Sequence, residues 1–245
     1  MGAHKRVDFS ERDKQLLYLL YKHRYCDFTA LNGLFVESNL YKKLKKLSEF
    51  GYIRKFDLSR LTRPLYSLTM LGRNWLMRNM DKEFDKSIIK EIKMSSIYNL
   101  NHHLKIAEIG ALLTIRNIDY EIDLTCKKAY PELKFIPDIV IEKEDGLIAL
   151  EIELENKSVK KNRIKLSKIQ MAKEIKKVIF LSPRKDGLEN NFNRAAEIIL
   201  HDNGLGENII INSTMDKLRF VDIKDFCDKI ALKNHDEIKT FLQEL

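Results

Sequence analysis

Near the middle of the chain two apolar runs, Phe135 to Glu142 and Gly146 to Glu155, flank the tetrapeptide Lys143-Glu144-Asp145-Gly146. Charged residues ending in Gly between two such runs signal a hairpin, because Gly takes the positive-φ backbone that tight turns require. The hairpin constrains everything around it. Helical spacing recurs over Ser158 to Lys173 and Asn190 to His201, whereas Lys177 to Leu181 and a short segment near Leu218 to Val221 read as strands. Asp119 to Leu124 and Glu207 to Ile211 are further strand candidates, and terminal helices follow. The expectation for this part of the chain is an α/β sheet with covering helices.

Charge divides the chain. Residues 1–93 hold 20 Lys+Arg against 11 Asp+Glu, while residues 94–245 hold 24 against 25. At roughly 150 residues per domain, a length of 245 residues corresponds to one large domain or two small ones, and the split favours two. The alternating charges of Asp81 to Lys93 suit an exposed helical connector. The boundary is therefore expected near residue 90, with a basic domain over 1–90 and an α/β domain over 91–245. A basic domain beside a near-neutral one suggests that the first meets a polyanion and the second does something else. Cys26, Cys126 and Cys227 lack disulfide-framework or zinc-ligand spacing and read as buried or incidental thiols. No apolar run reaches the roughly 18 residues of a membrane span, and the N-terminus has no signal-peptide stretch. A cytoplasmic location with no membrane partner is the expectation.

Within the basic part, Ser10-Glu-Arg-Asp opens like a capping box ahead of Leu16, Leu17, Leu19, Leu20 and Tyr21. Asp27-Phe28-Thr29 precedes a short second helix with Leu31, Leu34 and Phe35. Ser38 reads as the cap of a third helix, on which Leu40, Leu44 and Leu47 form one apolar stripe while Lys42, Lys43, Lys45 and Lys46 project away. After Gly51, Tyr52 to Leu58 and Leu65 to Thr69 alternate as two strands joined by a loop with Arg60 and Arg63. Helix, helix, basic helix and ribbon is the order of a winged helix-turn-helix. A helix of this kind fits the major groove, with Lys and Arg on phosphates and Arg54, Lys55, Arg60 and Arg63 reaching a neighbouring groove. Asn39 and Tyr41 are candidates for base edges, although Tyr41 is equally a core candidate. Met70 to Met80 looks like a closing helix that suits a homodimer contact, with Trp75 a core anchor.

The chemical signal lies on the hairpin. Pro137-Asp138 is in its first strand, and Glu151, Glu153 and Glu155 recur at period two on the next. Three like charges on one face invite Mg²⁺, although amphipathic strands also carry acids on a wet face. Ser95 to Arg116, with Ser95-Ser96 as cap candidates, is a helix assigned to the same domain.

These residues resemble the PD-(D/E)XK nuclease superfamily, whose core is helix, antiparallel strands, helix, strand. Asp138 and Glu151 match its two acids, and Glu153 stands at its Lys position. The resemblance implies that Asp138 and Glu151 hold Mg²⁺, that Glu153 is a third ligand or base, and that Lys157, Lys161, Lys165 or Lys168 supplies a migrated cation. Lys157 is the favoured one, and Glu108 falls where several members place another metal-binding acid. The whole order, with His102-His103-Leu104 between the two parts, is similar to the replication-relaxation family of plasmids and other mobile elements. That likeness covers roughly residues 10–180. It implies double-stranded DNA binding in plasmid replication or conjugative mobilisation, with a relaxase or replication initiator as partner. His102 and His103 have no His partner at helical spacing and read as packing residues, with a functional role left open. The sequence-level readings are thus an accessory DNA-binding protein, a Mg²⁺-dependent endonuclease, or a transcription repressor.

Overall fold

The computed structural model describes residues 8–35, 37–57, 63–80, 97–203 and 211–245. It is a mixed α and β structure in two compact units, residues 1–115 and 116–245. The connector 81–93 and the candidate caps Ser95 and Ser96 lie outside the described residues.

In the first unit, α1 (Glu11–His23) starts where Ser10 accepts the Asp13 N–H and Asp13 answers through the Ser10 N–H, the reciprocal box expected from the sequence. Asp27 caps α2 (Phe28–Asn32) by accepting the Ala30 N–H at 2.9 Å. Helix α3 runs over Glu37–Glu49, so Ser38 lies within it rather than capping it. The strands β2 (Ile53–Phe56) and β3 (Leu65–Leu68) form the expected antiparallel ribbon, with Arg54 opposite Ser67. A two-residue strand, β1 (Cys26–Asp27), adds to the far side of β3 and makes a three-stranded sheet of order β1-β3-β2. Thr69 caps α4 (Met70–Asn79). Trp75 stacks on Phe9 with ring centroids 3.8 Å apart, in keeping with a packing role.

Helix α5 (Ile97–Ile115) belongs to this unit and not to the second part of the chain. It packs on α1 and α2, and its Ala107 and Ala111 join Leu16, Leu20, Leu44 and Leu47 in one core. The division therefore falls beyond the boundary expected near residue 90, because the small side chains of α5 fit against the first core. His103 lies edge-on to Tyr25 at 6.2 Å, and burial, then Lys22 and His103, lower the His23 pKa to about 3. The His102-His103 pair thus sits among packed rings of the first unit.

The second unit is a five-stranded sheet of order β4-β5-β6-β7-β8. β4 is only Glu121–Ile122, because Asp123 begins α6 (Asp123–Ala129) within the stretch expected to be extended. β5 (Ile139–Lys143) and β6 (Gly146–Ile152) are the antiparallel hairpin, with Lys143 opposite Gly146. Gly146 has φ +138, and a Cβ there would stand 3.0 Å from the Glu174 carbonyl oxygen, so both the turn and the close approach require Gly. Helix α7 (Val159–Met171), capped by Ser158, crosses to β7 (Ile175–Ser182), parallel to β6. Helix α8 (Lys185–Asn203) precedes β8 (Leu218–Asp222), parallel to β7. Helices Ile223–Leu232 and His235–Glu244 close the chain. The candidate strand Glu207–Ile211 lies outside the described residues except for Ile211, which is helical. Cys26 and Cys126 are buried free thiols, as expected, and burial raises Cys126 to about 11. Among the described residues no helix is long and apolar enough to cross a membrane.

Candidate functional site

Two sets of side chains stand out, one in each unit. On α3 the inner stripe is as the spacing requires: Leu40, Leu44 and Leu47 are each 1 % exposed or less. Burying three Leu side chains contributes about 1.5–3 kcal/mol each, and this fixes the phase of the helix. The opposite face then carries Asn39, Tyr41, Lys42, Lys45 and Lys46, all exposed. Tyr41, at 63 % exposure, is a surface residue and not core.

Lys43 departs from its expected role. Its Nζ donates to Asp13 Oδ2 at 2.8 Å, and Asp13 is 1 % exposed. The helical phase places Lys43 on the flank facing α1, so its charge is committed to a buried carboxylate. Lys45 reaches Glu49 only loosely, at 3.9 Å between two exposed side chains, an arrangement that contributes little.

Arg54 and Lys55 are exposed on β2, the first with its guanidinium 5.8 Å from the Phe56 ring centroid and the second paired with Asp57 at 3.0 Å. Arg63 is exposed and donates to the Thr29 hydroxyl. Arg60 lies outside the described residues. A recess of about 290 Å³ opens between α3 and the ribbon, with Tyr41, Lys45, Lys55 and Tyr66 on its walls. Glu49 lines it too, so α3 and the ribbon meet along a recess of mixed charge.

The second set lies at the end of β6. Odd-numbered residues of this strand share a face, and Leu147 and Ala149 on that face pack in a core with Leu166 and Ile169 of α7. Glu151 and Glu153 continue the same row and so fall beneath α7, at 5 % and 3 % exposure. They are not on a wet face. The strand ends at Ile152, so Glu155 lies beyond it and is exposed, outside the row expected for three acids.

Burial of two carboxylates needs a cation, and α7 supplies it. Lys165 Nζ donates to both Glu151 Oε2 and Glu153 Oε1, with its ammonium 5.5 Å from the Phe180 ring centroid. Burial by itself would lower the Lys165 pKa, but Glu151 and Glu153 more than offset it and hold the ammonium above the ordinary lysine value. Lys157, the lysine favoured from sequence, bonds Glu153 alone, at 2.7 Å. Lys165 is one of four candidates by sequence; the signal that singles it out is its place on the Asn162-Lys165-Leu166-Ile169 face of α7.

Asp138 immediately precedes β5, and extending the Ile139–Leu150 register by one pair sets it across from Glu151. Its Oδ2 accepts the Ile152 N–H at 2.8 Å. Burial first, and then the Asp138 charge, push the Glu151 carboxyl up to about 7 against the pull of Lys165. The centre thus joins Asp138, Glu151, Glu153 and Lys165. Glu108 belongs to the first unit, on α5, where it pairs with Lys105 at 2.6 Å. Among the described residues no group of three or more His, Cys, Asp or Glu is arranged to hold a metal. Mg²⁺ commonly takes only one or two protein carboxylates, with waters and substrate phosphates completing its shell. Asp138 and Glu151 face each other across the β5–β6 pairing, with Glu151 held by Lys165.

Asn162, one turn before Lys165, is 1 % exposed, and neither polar atom of its side chain has a hydrogen-bond partner. Exchange for a similarly sized apolar residue removes that desolvation cost, so Asn162→Leu is expected to raise the unfolding free energy by about 1–3 kcal/mol. Urea titration of the two proteins checks this. Comparison of the chain with protein-family models, with curated proteins and with solved structures finds no match.

Proposed function

We propose that the protein binds double-stranded DNA through a winged-helix arrangement of the first unit, as an accessory factor in replication or conjugative mobilisation of a plasmid or other mobile element. The observation that carries this reading is the third helix: its Leu stripe is buried, and Lys42, Lys45 and Lys46 are left exposed beside the cationic ribbon. Such a surface suits a duplex, because Lys and Arg displace condensed counterions from phosphates while a helix lies in the major groove. Asn39 and Tyr41 at the start of that helix then meet base edges, and the ribbon meets the adjacent groove. The order of motifs along the chain supports the mobile-element context, with a relaxase or replication initiator as protein partner in the cytoplasm.

The test is duplex binding by the full chain, followed by fluorescence anisotropy across a salt series. Replacing Lys42, Lys45 and Lys46 with Ala is expected to weaken binding and to flatten the log–log salt dependence by about 0.9 for each phosphate no longer neutralised. An unaltered slope refutes the assignment of these lysines.

A second reading, a Mg²⁺-dependent endonuclease with a PD-(D/E)XK-like second unit, is favoured by one specific observation: Lys165 meets both acids of the strand motif. In it Asp138 and Glu151 would hold Mg²⁺, which would supply Lewis-acid polarisation of a phosphate ester. Lys165 then fixes the Glu151 and Glu153 carboxylates in place for that role. Nicking of supercoiled plasmid with Mg²⁺ or Mn²⁺, abolished by Asp138→Ala with Glu151→Ala while duplex affinity is kept, is its expected result. Wild-type protein that binds but never nicks leaves the accessory role as the function.

A further inference from the structure

The second unit has 23 Lys+Arg against 24 Asp+Glu over residues 116–245, yet its charge is not evenly spread. Helix α7 holds Lys160, Lys161, Arg163, Lys165 and Lys168 and no acid at all. Its phase is fixed by the burial of Leu166 and Ile169 and by the bonds of Lys165 to Glu151 and Glu153. Those constraints turn Lys160, Lys161 and Lys168 outward, where all three are exposed and none is ion-paired among the described residues. Ile164, between them, is 53 % exposed. A row of like charges with no neighbouring acid on its own helix sets up a positive potential that attracts a polyanion.

We propose that the outer face of α7 is a second contact for duplex DNA, gripping the phosphate backbone through Lys160, Lys161 and Lys168. The inference rests on the DNA-binding reading and assigns to the second unit a share of that grip. From Lys160 to Lys168 the helix rises about 12 Å, enough to span several phosphates of a duplex that carries about one charge per 1.7 Å of axis. Ile164 then lies against deoxyribose between the flanking ammonium groups. The same helix thus turns Lys160, Lys161 and Lys168 to solvent and Lys165 inward to the buried Glu151 and Glu153.

Full-length protein is titrated with a fluorescent duplex over a salt series, as wild type, as Lys160→Ala/Lys161→Ala/Lys168→Ala, as Lys42→Ala/Lys46→Ala, and as the α7 triple Arg variant. Circular dichroism verifies that each is folded. The α7 Ala variant is expected to lower the log–log slope by about 2 to 3, at about 0.9 per phosphate, and the Arg variant to keep it. If the α7 variant binds with the wild-type slope while the α3 variant shows a flatter one, the α7 contact is overturned and the DNA-binding reading stands. If wild-type protein does not bind duplex, both fail. Weakened binding of the α7 Ala variant to anionic phospholipid vesicles, with duplex binding unchanged, overturns the proposal in favour of a membrane surface.

Discussion

Replacing Lys165 with Met is expected to lower the unfolding free energy by about 3–5 kcal/mol, because it leaves the buried Glu151 without a cation and Glu153 with Lys157 alone. The side chain of Lys165 is 16 % exposed and those of Glu151 and Glu153 are 7 % and 4 % exposed, so water does little to screen the loss. Met matches the length of the lysine stem, which separates the charge effect from a cavity effect. The deficit depends on pH with a definite sign. Glu151 titrates at about 7 in the folded chain against 4.5 ordinarily. A folded chain that holds a proton there while the unfolded chain has released it loses stability as pH rises from about 4.5 toward 7. Lys165 is what pulls Glu151 down; without it, burial and Asp138 drive the carboxyl higher and the loss continues to higher pH. Urea titrations at about pH 5 and about pH 8 are expected to show a larger deficit at the higher value. Equal deficits at both would mean that the acids are solvated.

Lys43→Ala is expected to lower stability by about 3 kcal/mol, the order found when one partner of a buried ion pair is removed, and to leave the salt dependence of DNA binding unchanged. Asp13 is 1 % exposed, and its Oδ2 serves the Ser10 N–H, the Ser10 hydroxyl and Lys43 together. Without Lys43 the carboxylate keeps the cap of α1 but loses its counter-charge. Lys42→Ala and Lys46→Ala should behave in the opposite way, with near-wild-type stability and a flatter salt slope. Thermal melts paired with the anisotropy series separate the two classes, and a Lys43→Ala protein that melts like the wild type contradicts the buried pair.

Much of this arrangement is legible in the residues themselves. The Ser10 to Asp13 box, the Leu40-Leu44-Leu47 stripe and the Gly146 turn are local devices, in which a few neighbouring side chains decide the backbone. What the chain pattern could not supply depends on partners distant in sequence. Helical spacing in α5 shows that one face is apolar but not whose core it enters, and Ala107 with Ala111 fit the first unit. The strand β1 is two residues long, too short for any alternation to register. The row Glu151, Glu153, Glu155 has the period of a solvated face, and only the packing of α7 over β6 makes the first two buried and leaves the third outside. Lys157 lies nearest to the acids in sequence, yet the phase of α7 delivers Lys165 to both. Lys43 resembles its neighbours in sequence, and only α1 sets it apart by bringing Asp13 against it.

The central claim is that α3 meets the duplex with its outward lysines, and footprinting of lysine reactivity tests it residue by residue. The full chain is treated with an amine-acylating reagent, free and saturated with duplex, and the modified sites are read by mass spectrometry. The account predicts that Lys42, Lys45 and Lys46 lose reactivity on binding, while Lys43, already paired with Asp13, reacts slowly in both states. Unchanged reactivity at Lys42, Lys45 and Lys46 in the saturated complex would contradict it.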